Sequence, residues 1–233
     1  KAYLINDLVA MACAVPCLEE KDVAVLQSGL QLKEGRISVV AAGTGLGQAF
    51  LIPTDSAKYY AVDSEGGHAD FAPRNKIEAE LLFFLQKKFT RVSVERIVSG
   101  PGVIHIFEFV KEHLYSGVSV DWQKGLQNEE LVAEIIRCAV EKKSEICEKT
   151  LSLFVELYGA LAGNLALQFL AKGGVYLGGG IAPRIMPLLE QGSFMQAFLE
   201  KGRFKSFLTE IPVKVILNDR SALLGAAQYA FTH

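Results

Sequence analysis

Apolar and polar residues change period several times along the chain, and each change marks an element. Residues 36–42 form a short, nearly continuous apolar run that predicts a buried strand, 43–47 a glycine turn, and 49–52 and 59–62 further strands. This part of the chain therefore reads strand, glycine hairpin, strand. Apolar residues then return every three or four positions over 76–89, 103–114, 128–143 and 145–172, which predicts helices. Beyond them, 174–177 is a short apolar strand running into Gly178-Gly179-Gly180, 213–217 is another strand, and 221–231 is a helix. Upstream, 8–14 predicts a helix that Asp7 starts and Pro16 ends. Sheets flanked by helices, with no solenoid-length repeat, give an α/β fold class.

Composition narrows the function classes. Half of the 233 residues are apolar, enough for one large core or two smaller ones, and 24 basic against 26 acidic residues leave a net charge of −2. With that balance and no basic run interleaved with aromatics, no nucleic acid partner is expected. The apolar stretch 151–171 is long enough to tempt a membrane reading. Glu156, Asn164 and Gln168 interrupt it, and Gly159 and Gly163 predict close helix packing, so a buried core helix and no membrane partner are expected. Cys13, Cys17, Cys138 and Cys147 have neither the paired spacing of a zinc site nor the density of a disulfide framework, and are expected to be reduced thiols of a cytoplasmic protein. No basic-then-apolar leader opens the chain, and its first residue is Lys1, so a truncated start is expected.

Two patches carry the candidate chemistry. In Gly43-Thr44-Gly45-Leu46-Gly47, residues without a Cβ let backbone N–H groups approach phosphate oxygens, and Thr44 adds a hydroxyl. The loop lacks the Gly-Lys-Ser/Thr ending of a Walker loop and misses the dinucleotide fingerprint, and its flanks are strands, so it suits a phosphate-binding hairpin; a plain tight turn is an equal alternative at this stage. The second patch is Glu65-Gly66-Gly67-His68 with Glu95. Acceptors of this kind are what a polyhydroxyl ligand needs, because each hydroxyl must exchange water for a fixed partner. Read singly, His68 is as well explained as a structural residue and Glu95 as a surface carboxylate. Gly178-Gly179-Gly180 reads either as a turn or as bare backbone leaving room for a flat ligand at a strand end. Asp7 reads either as the helix start or as a carboxylate that orients and deprotonates an accepting hydroxyl.

Taken in order, these blocks resemble the bacterial glucokinases, of the hexokinase and actin-like ATPase fold. The resemblance runs through Leu4-Ile5-Asn6-Asp7, Ala42 to Gly47, Glu65 to Pro73, Ser93 to Arg96 and Val98 to Gly102. It continues through Gly163 to Leu167, Gly178 to Arg184 and Lys201-Gly202-Arg203-Phe204. It implies transfer of the γ-phosphate of ATP, bound with Mg2+, to the 6-hydroxyl of glucose. Asp7 would be the catalytic base, Asn6, Glu65, His68 and Glu95 the glucose ligands, Gly43, Thr44, Gly45 and Gly47 the phosphate cradle, and Gly178, Gly179 and Gly180 the adenosine side. No residue is assigned to a metal site, and the absent cysteine-rich motif implies a zinc-free member. The resemblance also implies a homodimer. The family's Asp-x-Gly-Gly-Thr hairpin is nowhere in the chain. The expectation is therefore a fragment of impaired activity: 1–17 a remnant of the small domain carrying Asp7, 18–217 the large α/β domain, and 218–233 a C-terminal helix returning toward the small domain. Leu223, Leu224 and Ala227 of that helix are expected to be exposed or covered by another molecule. The alternatives are a non-catalytic sugar-binding or regulatory module of the same fold and an actin-like ATPase without a sugar substrate.

Overall fold

The computed structural model describes residues 4–30, 32, 34–55, 58–116, 123 and 125–232. In chain order the elements are α1 (Asp7–Ala14), β1 (Val23–Gln27), β2 (Ile37–Ala42), β3 (Leu46–Pro53), β4 (Tyr59–Ser64), α2 (Lys76–Gln86), α3 (Gly100–His113), α4 (Asn128–Val140) and α5 (Glu145–Phe169). They continue as β5 (Gly174–Gly178), α6 (Ile181–Arg184), α7 (Met186–Leu189), α8 (Ser193–Leu199), α9 (Lys205–Thr209), β6 (Val213–Ile216) and α10 (Ser221–Thr232). Every predicted element is present with its ends moved by a few residues. Helix α3 starts three residues earlier than its apolar period because Ser99 caps it, accepting the Gly102 N–H at 3.1 Å, and Pro101 fits the first turn, where no N–H is needed. Strand β1 and the short helices α6–α9 are additions to the predicted set.

The six strands form one sheet in the order β1-β6-β5-β2-β3-β4. Its centre, β2, β5 and β6, is parallel, while β1, β3 and β4 pair antiparallel at the two sides. β2 lies between β5 and β3 with every residue buried, which is why it reads as a continuous apolar run rather than an alternating one. Successive residues still divide between two faces. Val40, Val175, Leu177, Val213 and Val215 join the larger core with α3, α4, α5 and α8, whereas Val39, Tyr176 and Ile216 pack with Ala12 and Val15 of the α1 region.

Helix α5 is the pillar of the larger core. It is long and apolar enough to cross a membrane, but 78% of its apolar window is buried inside the fold. Gly159 and Gly163 lie against the backbone carbonyls of Phe194 and Phe198, where a Cβ would collide, so α8 packs as closely as the sequence predicted. The Tyr158 hydroxyl donates to the Val40 carbonyl at 3.2 Å and ties α5 to the central strand. All four cysteines are free thiols, and Cys138 and Cys147 are buried.

On the opposite face α1 and α10 pack together, with Gly225 against the Ala10 carbonyl. Thus one side of α10 is covered by α1, while Leu223, Leu224 and Ala227 are exposed as expected. Of the terminal segments assigned by sequence, residues 1–3 and 233 lie outside the described residues.

Candidate active site

The β2–β3 hairpin builds the floor of the site. Ala42 pairs with Leu46, leaving Gly43-Thr44-Gly45 as the turn. The Gly43 N–H donates to the Gly45 carbonyl at 2.9 Å, and the Gly100 N–H donates to the Gly43 carbonyl at 2.7 Å, docking the start of α3 on the turn. The Leu46 N–H donates to Glu95 Oε2 at 3.0 Å. Gly43 and Leu46 therefore spend their amides inside the protein, so neither amide is offered to a ligand.

Glu95 sits in a one-turn 3-10 segment, Val94–Arg96, against Gly45, where a side chain would crowd its carboxylate. His68 ends a similar turn, Gly66–His68, and Gly67 lies against the Leu46 carbonyl, where a Cβ would not fit. These close approaches bring the separate patches together. His68 Nδ1 is 4.0 Å from Glu95 Oε1, and His68 Nε2 is 3.9 Å from Glu65 Oε2. Side-chain exposure rises from 30% at Glu95 through 57% at His68 to 87% at Glu65, so the three line one open wall from its floor to its rim. Ordered donors and acceptors spaced beyond direct hydrogen bonding to one another are available to a polyhydroxyl ligand.

Beside this wall, Gly43, Thr44, Gly100, Ile104, Val132 and Gly180 line a cavity of about 650 Å³, with His105, Arg184 and the Lys88–Glu108 ion pair at its edge. That volume suits a nucleotide-sized ligand. Burial pushes the His105 imidazole below its ordinary range, so it is neutral at pH 7. Its Nδ1 stands 2.8 Å from the Arg96 carbonyl, so Nδ1 carries the hydrogen. His105 thus joins the cavity to the turn that carries Glu95.

Of the other sequence-assigned residues, Gly180 borders the cavity, while Asn6 lines a different groove. Gly178 packs against Met11, and Gly179 (φ +79°) lies on the Ala42 carbonyl; of that trio, Gly180 faces the cavity. Asp7 is exposed at the start of α1, and the next residue, Leu8, fills the space above Gly47, two positions from Gly45. Asn6 is the N-cap of α1: its Oδ1 accepts the Leu8 N–H at 2.8 Å and the Val9 N–H at 3.3 Å. Asp7 Oδ1 also accepts the Leu8 N–H, at 2.9 Å. Asn6 lines a separate groove with Cys13, Leu51 and Tyr59. His105, Arg184, Gln48 and Arg91 were not singled out from sequence. Gln48 is 3% exposed, with its side-chain oxygen against Gly66; only its place between two glycine motifs could have hinted at this.

A family model described as Glucokinase matches residues 1–233. The glucokinase of Nostoc punctiforme is 46% identical over 238 residues, an alignment covering 97% of this chain and 70% of that protein. The crystal structure of a glucokinase from an Antarctic psychrotroph superposes with a TM-score of 0.86 at 33% identity, covering 98% of this chain and 68% of that one. A glucokinase from Balamuthia mandrillaris, solved in complex with glucose, superposes with a TM-score of 0.85 at 22% identity, covering 100% and 66%, a likeness of fold. The sheet and its helices have the actin-like ATPase fold.

Proposed function

Since the chain belongs to the glucokinase family, whose members are ATP-dependent hexose kinases, we propose that it transfers the γ-phosphate of ATP to the 6-hydroxyl of glucose. The products are glucose 6-phosphate and ADP. The observation that carries this reading is the convergence of Glu65, His68 and Glu95 at 3.9 and 4.0 Å, beside a hairpin whose turn lines a nucleotide-sized cavity. In this reading the three side chains hold the sugar hydroxyls, and Asn6 offers its amide from the α1 side. Gly43, Thr44, Gly45 and Gly47 form the phosphate cradle, with contact centred on Thr44 and Gly45. Gly178, Gly179 and Gly180 form the adenosine side, Gly180 in contact and the other two as its support. Asp7 orients the 6-hydroxyl and takes its proton as the hydroxyl attacks phosphorus in line.

Magnesium would be bound with the nucleotide. Such a cation would be held mainly by the phosphate oxygens of the nucleotide. Its chemistry when bound is to neutralise charge on the transferring phosphoryl group. The protein's own share is positioning. We further assign residues 1–17 and 218–233 to the small-domain side and 18–217 to the large domain, and infer a cytoplasmic homodimer.

The test is ADP release from magnesium-bound ATP with and without glucose. Release that depends on glucose is expected; release independent of glucose would support the sugar-free ATPase instead. Glucose binding with no release would favour the non-catalytic sugar-binding module.

A further inference from the structure

We propose that Arg91 is a positioning residue for hexose recognition, holding His68 in register with Glu95; this rests on the reading of His68 as a sugar ligand. Two strips of chain, 65–71 and 91–97, carry the three acceptors. Their backbones are laced together. The Phe71 N–H donates to the Val92 carbonyl at 3.0 Å, the Val94 N–H donates to the Ala69 carbonyl at 2.9 Å, and Asp70 bridges Ser93. This lacing fixes Glu95 at the end of one strip but stops one residue short of His68.

Arg91 takes over at that point. Its Nη1 donates to the His68 carbonyl at 2.7 Å and to Asp70 Oδ1 at 2.7 Å. The guanidinium therefore spans residues 68–70 and fixes the peptide from which the His68 side chain springs. The His68 N–H is already given to the Glu65 carbonyl at 2.9 Å, so both backbone groups of His68 are held. The ring nitrogens stand 3.9 and 4.0 Å from Glu65 and Glu95, too far for hydrogen bonds, so the ring's place is set through its backbone. Both bonds leave one nitrogen, so a lysine at position 91, with three N–H donors on a shorter and more mobile stem, can reproduce part of the clamp.

The side chain is 58% exposed, so Arg91→Ala is expected to fold with an unchanged thermal midpoint. The experiment measures the glucose dissociation constant by titration calorimetry, with kcat and the KM values for glucose and ATP, in Arg91→Ala, Arg91→Lys, His68→Ala and the Arg91→Ala/His68→Ala double variant. Arg91→Ala is expected to weaken glucose about three- to tenfold while kcat and the KM for ATP hold, with Arg91→Lys recovering part. In the His68→Ala background the same change should add nothing, because Arg91 acts through His68. Equal losses in both backgrounds would overturn the role, as would a silent Arg91→Ala beside an impaired His68→Ala. A silent His68→Ala would remove the hexose reading of His68 itself and the role of Arg91 with it.

Discussion

Asn6 and Asp7 share the start of α1, and their division of labour was one residue beyond what local sequence resolves. Both residue types cap helices, so the sequence reading that starts the helix at Asp7 misses the cap by one residue. In the folded chain Asn6 is the N-cap, and Asp7 is the first helical residue, with its carboxylate exposed. Asp7→Asn should therefore leave α1 intact, lower turnover about 10²- to 10⁴-fold and keep the glucose dissociation constant near its original value. Comparable turnover would remove Asp7 as the base. The thiols give a second prediction at this scale. Burial pushes the Cys147 thiol up to about 11 and raises that of Cys138, so both stay protonated at neutral pH. Alkylation of the native protein at pH 8 should spare these two and reach them only in denaturant, whereas rapid native labelling of Cys147 would contradict its burial.

Among elements, α2 is anchored more strongly than its surface period suggests. Glu78 is fully buried in the first turn of the helix, and its carboxylate accepts from the Arg74 N–H at 2.7 Å and from Arg74 Nε at 3.1 Å. Arg74 also reaches Glu200 at 3.3 Å, fastening the start of α2 to the end of α8. Removing one partner of such a pair leaves a desolvated charge, so Glu78→Gln should cost about 3 kcal/mol of stability in urea unfolding. A loss near zero would show that the pair is dispensable. On α4, Arg137 holds the Glu134 carboxyl down at about 2, against an ordinary 4.5. Between those values the unfolded chain binds the proton and the folded one does not, so this contribution is complete above 4.5 and lost as pH falls through 2. Arg137→Met should flatten that part of the acid unfolding profile; an unchanged profile would refute the coupling. β2, the hairpin and α5 were readable because period, glycine and length agreed. β1 was not, because Val23–Gln27 is a short edge strand with Val25 exposed, and its partner β6 lies almost the whole chain away. Helices α6–α9, of four to seven residues, are too short to show a period.

For the molecule as a whole, the sheet order brings together residues that the sequence separates. Residues 43–47, 65–68 and 95 meet because β3 returns along β2 and the 3-10 turns at Gly66–His68 and Val94–Arg96 dock beside the Gly43–Gly45 turn. Their residue types, side-chain acceptors beside a glycine hairpin, were legible in the sequence. The contacts that align them were not: Glu95 on the Leu46 amide and Arg91 on the His68 carbonyl are side-chain-to-backbone bonds with no sequence signature. The same holds for the cavity wall, where Ile104 comes from α3, Val132 from α4 and Gly180 from the turn between β5 and α6. The account stands on the proposal that Glu65, His68 and Glu95, which converge at 3.9 and 4.0 Å, form one hexose site. The most direct test is a calorimetric glucose titration of the unmodified chain and of Glu95→Gln, both with a non-hydrolysable ATP analogue present. Saturable binding of one glucose per chain, weakened about tenfold or more in Glu95→Gln, is the predicted result; no glucose binding by the unmodified chain, or equal affinity in the two proteins, would contradict it.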